Sequence, residues 1–235
     1  MEAGADPAPV PISRLTVIRA EPFADAAAAE RWLDSLAGDR AALEEEIAAA
    51  TATINAALHA HAVATQDPAV AQAGPAHALA RRVGFGSGDG LADGRWSKAI
   101  EVPQRHERRR RTEALRPAER VAAVLGGRER LDACETLLLR ARADLDAGRA
   151  REAALQLRVG LEALMSEIGS GASPDQADDL AELEARREPV AALAREALGP
   201  AHAADRAAEL EGTLQICERV LRRRRILGAG EPEAS

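Results

Sequence analysis

Apolar residues recur at three- and four-residue steps along much of the chain, which is the spacing of one face of an α-helix. Near the N-terminus this spacing predicts a helix from Asp25 to Gly38 and a second from Asp39 to about Thr65, with Asp39 as the N-cap of the second. The stripe expected to face the core of the second helix contains Leu43, Ile47, Ala50, Ile54, Ala57 and His61. On that stripe His61 is expected to be partly buried and hydrogen-bonded.

The same part of the chain predicts two or three short strands. Residues 12–20 are enriched in Ile, Leu, Thr and Val, and two further runs, around Val83 and around Ile100, alternate apolar with small or polar residues. A glycine-rich run, Gly84–Gly90, separates these two runs and is expected to be a flexible hairpin loop. The strand at 12–20 is a candidate third member of the sheet.

The C-terminal half carries only helical spacing. Its apolar stripes are Leu131, Cys134, Leu138, Ala141 and Leu145, then Ala154, Leu157, Leu161, Leu164 and Ile168, and finally Leu210, Leu214, Cys217 and Leu221. Because Gly148 lies between the first two stripes, they are predicted to form an antiparallel helical hairpin, with coiled-coil-like spacing. The predicted fold class is mainly α, a C-terminal antiparallel helical bundle with a smaller N-terminal α+β part.

Domain boundaries follow from changes in composition. Residues 1–11 and 228–235 are predicted to be disordered ends. Between them we expect an α+β domain at 12–103, an Arg-rich helix or linker at 104–116 and the helical bundle at 117–227. Pro117 is placed as the first residue of a helix.

Composition narrows the possible functions. The chain is 46% apolar, 29% charged and 2% aromatic, and its formal net charge is −7, which argues against a generally cationic surface. The two cysteines are far apart and are expected to be buried free thiols, so neither a metal nor a cofactor is predicted. The first residues lack the basic start and apolar core of a secretory signal, and no long apolar run is evident. We therefore expect a cytoplasmic protein with no membrane contact.

The glycine-rich run is the first candidate for a binding site, because closely spaced glycines let backbone N–H groups approach a phosphate. Its spacing is G-x-G-x-G-x-G, which matches neither the dinucleotide fingerprint nor a P-loop. If the loop binds a small ligand, the candidate residues are Gly86, Gly88, Asp89, Asp93, Arg95 and Trp96. A mobile loop with no ligand explains the same residues.

An Arg-rich segment is the second candidate. It contains Arg105, Arg108, Arg109, Arg110 and Arg111, and a smaller cluster lies near the C-terminus. Such a patch could meet nucleic-acid phosphates or an acidic protein, although no aromatic residue is interleaved with it to stack on bases. Solvated or internally paired arginines are the plainer interpretation.

Two partial resemblances also fall in the helical half. Residues Leu137, Ala141, Gly148, Glu152, Ala153 and Gly160 are similar to the small and apolar positions of one tetratricopeptide unit. That resemblance implies a helix-turn-helix packing unit, but no second copy follows at the period of that repeat. Arg195 and His202 resemble the spaced Arg and His of HEPN-type ribonucleases, although Gly199-Pro200 stands between them.

Since the residues form no evident reactive constellation, we expect a non-catalytic protein-interaction or scaffold module. The partner would be an unknown protein or a second copy of the chain. The alternatives are a small-ligand-binding protein or enzyme that uses the Gly84–Gly90 loop, and nucleic-acid binding through Arg108–Arg111.

Overall fold

The protein is mainly helical and divides into two compact units. A computed structural model describes residues 12–74, 78–102, 111–169, 177–199 and 206–228. The units are Met1–Glu107 and Arg108–Ser235. Seven helices and one two-stranded sheet occur in the described residues, which confirms the predicted fold class.

Two capped helices open the first unit. Helix α1 is Ala26–Gly38, and Asp25 accepts a hydrogen bond from the N–H of Ala28 at 2.7 Å. Helix α2 is Arg40–Thr65, and its N-cap Asp39 accepts from the N–H groups of Ala41 and Ala42. Each carboxylate satisfies donors that the first helical turn leaves without backbone partners, so the chain can turn sharply from α1 into α2.

A β-hairpin completes the first unit. Strands β1 (Arg82–Phe85) and β2 (Lys98–Glu101) are antiparallel, with Val83 opposite Ile100. The small core consists of buried Leu36, Leu43, Ile47 and Val102 with Trp32, Ala42, Val83 and Ile100 packed against it. Only the first turns of α2 contribute buried residues to this unit.

Residues 12–20 do not form the third strand that their composition suggests. They have no sheet partner in the described residues, form no regular secondary structure and have mostly exposed side chains. Arg14 donates to the carbonyl of Asp93, and Thr16 donates to that of Ala92 at 3.3 Å. β-branched residues favour extended backbone, but a strand also needs a ladder partner, and here side chains rather than backbone make the contacts.

The second unit begins with α3, Arg111–Leu125. Pro117 lies inside this helix, so the prediction that Pro117 begins a helix was wrong. A proline in a helix removes one backbone hydrogen bond, and the surrounding Ala, Leu, Glu and Arg are strong helix formers that continue the helix through it. Near its end, Arg120 pairs with Glu129 at 3.0 Å and with Glu135 of the next helix at 2.6 Å.

Helices α4 (Ala133–Asp146) and α5 (Ala150–Gly169) form the predicted hairpin. Gly148 between them has φ +73°, a left-handed conformation that favours glycine. The N–H of Arg149 bonds to the carbonyl of Asp144 at 2.8 Å and closes the end of α4. At Gly160 the two helices approach closely, because an added Cβ would lie 3.0 Å from Cδ2 of Leu138.

Helices α6 (Ala177–Leu198) and α7 (Ala207–Gly228) complete the bundle. Of the three stripes predicted in this half, all members except Leu131 and Leu145 are buried in one core, and Leu145 packs against that core. An ion-pair network on Arg142 of α4 joins Glu218 of α7 at 2.9 Å and Glu211 of α7. These carboxylates raise the pKa of Arg142. The bundle therefore uses its apolar stripes internally.

Candidate functional site

The glycine-rich loop is closed by its own hydrogen bonds. Between β1 and β2 a single 3-10 turn, Asp89–Leu91, follows Gly88, whose φ is +76°. Four backbone N–H groups of the loop, those of Leu91, Gly94, Arg95 and Ser97, donate to backbone carbonyls of the hairpin at 2.8–3.2 Å. These donors are engaged in the turn, so a cradle of open N–H groups for a phosphate does not form from them.

Close packing in the hairpin leaves no room for a larger side chain at two of the glycines. A Cβ on Gly84 would lie 2.4 Å from the carbonyl oxygen of Lys98 on the facing strand. A Cβ on Gly86 would lie 3.0 Å from Leu91 and 3.1 Å from the backbone nitrogen of Ser97. Substituting Gly86 would therefore disturb the hairpin itself, and the flexible loop expected from the sequence is a packed turn held by Arg14 and Thr16.

Of the charged candidate residues in this loop, the structure brings together only Asp93 and Arg95. Asp93 and Arg95 form an exposed ion pair at 3.6 Å, with side chains 67% and 80% exposed. Asp89 is also exposed, and Trp96 is half-buried. An ion pair this exposed contributes little stability and leaves both groups in water. The described contacts do not converge on an enclosed ligand site.

The Arg-rich candidate patch lies almost entirely outside the described residues. That is the case for Arg105, Arg108, Arg109 and Arg110, while Arg111 is the first residue of α3. Three arginines of the C-terminal cluster are paired within the chain. Their ion pairs are Arg219 with Glu182, Arg223 with Asp179 at 3.4 Å and Arg224 with Asp132 at 2.9 Å.

A group of possible metal ligands that the sequence reasoning missed lies where α4 begins and α5 ends. One ligand atom from each of Asp132, Cys134 and Glu167 lies within 4.8 Å of the others. Cys134 is fully buried, and desolvation, together with a hydrogen bond to Glu167, raises the pKa of its thiol. The backbone N–H of Cys134 also donates to Oε1 of Glu167 at 3.3 Å.

A thiolate and two carboxylates are a donor set that zinc accepts. In this chain, however, each member already has a structural task. Glu167 caps the start of α4, Asp132 pairs with Arg224, and burial favours the protonated thiol of Cys134, which a metal would have to deprotonate. These hydrogen bonds and the ion pair explain the arrangement as a set of polar contacts that join α4, α5 and α7.

One face of α2 is exposed along most of its length. Its apolar side chains are largely unburied, since only 6% of the most apolar stretch of 18 residues in α2 is buried. The longest run of exposed residues with a four-three spacing on α2 is Glu45, Ala49, Ala52, Ala56, His59 and Val63, and we name this set the α2 seam. Other exposed residues, such as Thr53, Ala57 and Ala60, lie beside it. Val63 alone is 65% exposed. This spacing is the one that helices use to pair side by side.

The chain that follows α2 returns to contact the helix at Asn55. Asn55 holds this returning segment: its side-chain amide donates to the carbonyl of Ala73 at 3.0 Å, and its oxygen accepts from the N–H of Ala73 at 2.7 Å. Leu58 and Ala62 are half-buried, whereas Ala57 and His61 are exposed, so the expectation of a partly buried His61 was wrong. The periodicity of α2 therefore did not identify which of its apolar residues are exposed.

By length and composition alone, α2 could cross a membrane, contrary to the expectation that no such stretch exists. A single helix of this kind is weak evidence for a membrane span. The helix also carries Asn55, His59 and His61, which are unfavourable in hydrocarbon.

Comparisons with protein-family models, with curated proteins and with solved structures find no match. The two partial resemblances thus gain no support from them. Of the HEPN-like pair, Arg195 forms an ion pair with Glu188 on its own helix, and His202 lies outside the described residues.

Proposed function

We propose that the protein is a non-catalytic, cytoplasmic protein-interaction module that binds its partner through the α2 seam. The single observation that carries this proposal is the exposure of a helix-pairing face on a long helix. The stripes of the bundle, which also have this spacing, already face their own core and are not free to bind a partner.

The length of α2 supports a partner. The helix has 26 residues, so it extends for about 39 Å. Its buried residues, Leu43 and Ile47, both lie in the first third, and helices in proteins gain most of their stability from packing. A second helix laid along the seam would remove the alanines and Val63 from water at about 25 cal/mol per Å².

A protein partner fits the seam better than lipid does. Glu45 and His59 belong to the seam itself, and a charged or polar group within a lipid-facing surface is unfavourable. At a protein interface such groups gain partners and fix the register of the contact. We therefore argue for a protein and treat lipid binding as an outcome of the test.

The test is photo-crosslinking in living cells with a benzophenone amino acid at Ala56 of the seam. The matched control carries the same group at Ala57, which is exposed and lies about 100° further around the helix. We expect an adduct of one defined mass from Ala56 and little from Ala57. Equal adducts from both positions, no adduct from Ala56, or flotation of the purified protein with anionic vesicles would contradict the proposal.

A further inference from the structure

We infer that α3 inserts an outward-facing apolar stripe into a groove of a partner protein, and that this groove is apolar with acidic residues beside both of its ends. The stripe consists of Ala118, Val121, Ala122 and Leu125, and we name it the α3 stripe. It belongs to the second unit of the chain, so this inference does not rest on the α2 seam.

Exposure along α3 follows the helical period. Every member of the α3 stripe is exposed, and the two largest, Val121 and Leu125, are 58% and 83% exposed. The half-buried residues of 117–125 are Arg120, Ala123 and Val124. The centres of the exposed and half-buried sets lie about 160° apart around the helix axis. The boundary of the exposed surface therefore coincides with the boundary of the apolar stripe.

The polar side of α3 attaches it to the rest of the unit. Arg120 pairs with Glu129 at 3.0 Å and with Glu135 of α4 at 2.6 Å. An amphipathic helix of a folded domain ordinarily turns its apolar stripe to the core and its charged side to water. In α3 this orientation is reversed. The stripe also has the i, i+3, i+4, i+7 spacing with which an amphipathic helix enters the groove of another protein.

Positive charge at both ends of α3 defines the chemistry of the groove. Arg128 and Arg130 follow the helix, are exposed and form no ion pair within the part of the chain that the structure describes. The sequence places four consecutive arginines, 108–111, where α3 begins. Glu119 is the single acidic residue of 117–125, and it lies to one side of the stripe. An apolar stripe between two cationic ends is complementary to an apolar groove between two acidic ends.

A protein groove fits the α3 stripe better than a membrane surface does. Two of its four residues are alanine, and no aromatic residue occurs between 104 and 131. Helices that lie on membranes carry Trp, Phe or Leu on the apolar face, and their affinity grows with the apolar area that they bury. The small area of this stripe is better used in a fitted groove. We therefore argue for a protein and treat lipid as an outcome of the test.

The first experiment is photo-crosslinking of the full chain in living cells, with a benzophenone amino acid at Ala122. The matched control carries the same group at Ala185, an exposed alanine of α6. We expect an adduct of one defined mass from Ala122 and none from Ala185. Mass spectrometry of the adduct identifies the partner and the crosslinked peptide, which we expect to contain apolar residues with Asp or Glu close by.

Apolar and charged variants then test the stripe and its ends separately. V121D/L125D should abolish the adduct, because it places two carboxylates in the apolar contact. L139D makes the same kind of change at a side chain of α4 that is 70% exposed, and it should leave the adduct unchanged. Since all three positions are exposed, we expect the circular dichroism of both variants to match that of the unmodified chain.

The charge of the ends is tested with the purified partner. R128E/R130E should raise the Kd by about tenfold or more, and added salt should weaken binding of the unmodified chain. R140E/R186E makes the same change of charge at exposed arginines of α4 and α6 and should bind like the unmodified chain.

Several outcomes would overturn the inference. These are the absence of an adduct from Ala122, an adduct that survives V121D/L125D, an adduct within the chain itself, and crosslinking to lipid or nucleic acid. A Kd that R128E/R130E leaves unchanged would refute the acidic ends of the groove. Because the α2 seam is tested at Ala56, an adduct there without one at Ala122 would overturn this inference and leave the proposed function standing.

Discussion

Replacing glycine by alanine should have opposite effects at two helical positions of the bundle. Gly160 lies in α5, where an added Cβ would be 3.0 and 3.1 Å from two atoms of Leu138 and 3.3 Å from Cβ of Leu137. Leu138 is only 2% exposed, so its side chain has little room to move. Gly212 lies in α7, and a Cβ there would meet nothing within 4 Å.

The magnitudes follow from two opposing effects. Alanine is favoured over glycine inside a helix by about 1 kcal/mol, and both positions gain this amount. At Gly160 the new methyl group must also displace packed side chains, and overpacking costs about 1–3 kcal/mol. We therefore expect G160A to lower the free energy of unfolding by about 1 kcal/mol and G212A to raise it by a similar amount.

Urea unfolding followed by far-UV circular dichroism measures both changes. With a slope of about 2 kcal/mol per M, each variant should shift the midpoint by about 0.5 M, in opposite directions. Both tryptophans, Trp32 and Trp96, belong to the first unit, so circular dichroism and not fluorescence reports on the bundle. A G160A midpoint that rises as much as that of G212A would refute the close approach of α4 and α5.

Two further predictions concern a side-chain clamp and alkaline pH. N55A removes both hydrogen bonds between Asn55 and Ala73. We expect faster amide hydrogen exchange at Ala73, corresponding to a free energy of local opening that is lower by about 1–3 kcal/mol, and unchanged protection would contradict this role of Asn55. Burial raises the pKa of Cys217 from 9.0 to about 12 and also raises that of Cys134. Folding therefore retains these protons, and stability that is complete below pH 9 should fall as pH rises towards 12. Because the chain has no Tyr and Lys98 is its sole lysine, the urea midpoint of C134A/C217A should fall less than that of the unmodified chain between pH 8 and 10.5; equal falls would contradict the assignment.

The helical fold could be predicted because most of its determinants are local. Asp39 caps α2 as its position suggested, and Gly148 lies at the turn between two stripes that are both buried. The predicted strand at 12–20 was wrong because strand formation depends on a distant ladder partner, whereas helix formation depends on neighbours in sequence.

The α2 seam was harder to predict, because it depends on which residues of α2 remain exposed after the chain folds. Periodicity identified an apolar stripe on α2, but not that Ala57 and His61 of that stripe would be exposed or that the chain would return to contact Asn55 at Ala73. A signal for the Cys134 cluster was available: folding the predicted hairpin about Gly148 brings Cys134 near Glu167. The tasks of Glu167 and Asp132, a cap and an ion pair, could be assigned only from the structure.

The short connection between α4 and α5 has a consequence for the order of folding. Three residues separate Asp146 from Ala150, so joining these helices requires closure of a very small loop and little loss of chain entropy. Contacts of this local kind form quickly, whereas α7 must return to α4 across two intervening helices. We therefore expect the α4–α5 hairpin to form early in the folding of the bundle. A chain emerging from the ribosome presents this hairpin with its core face uncovered until α6 and α7 have followed.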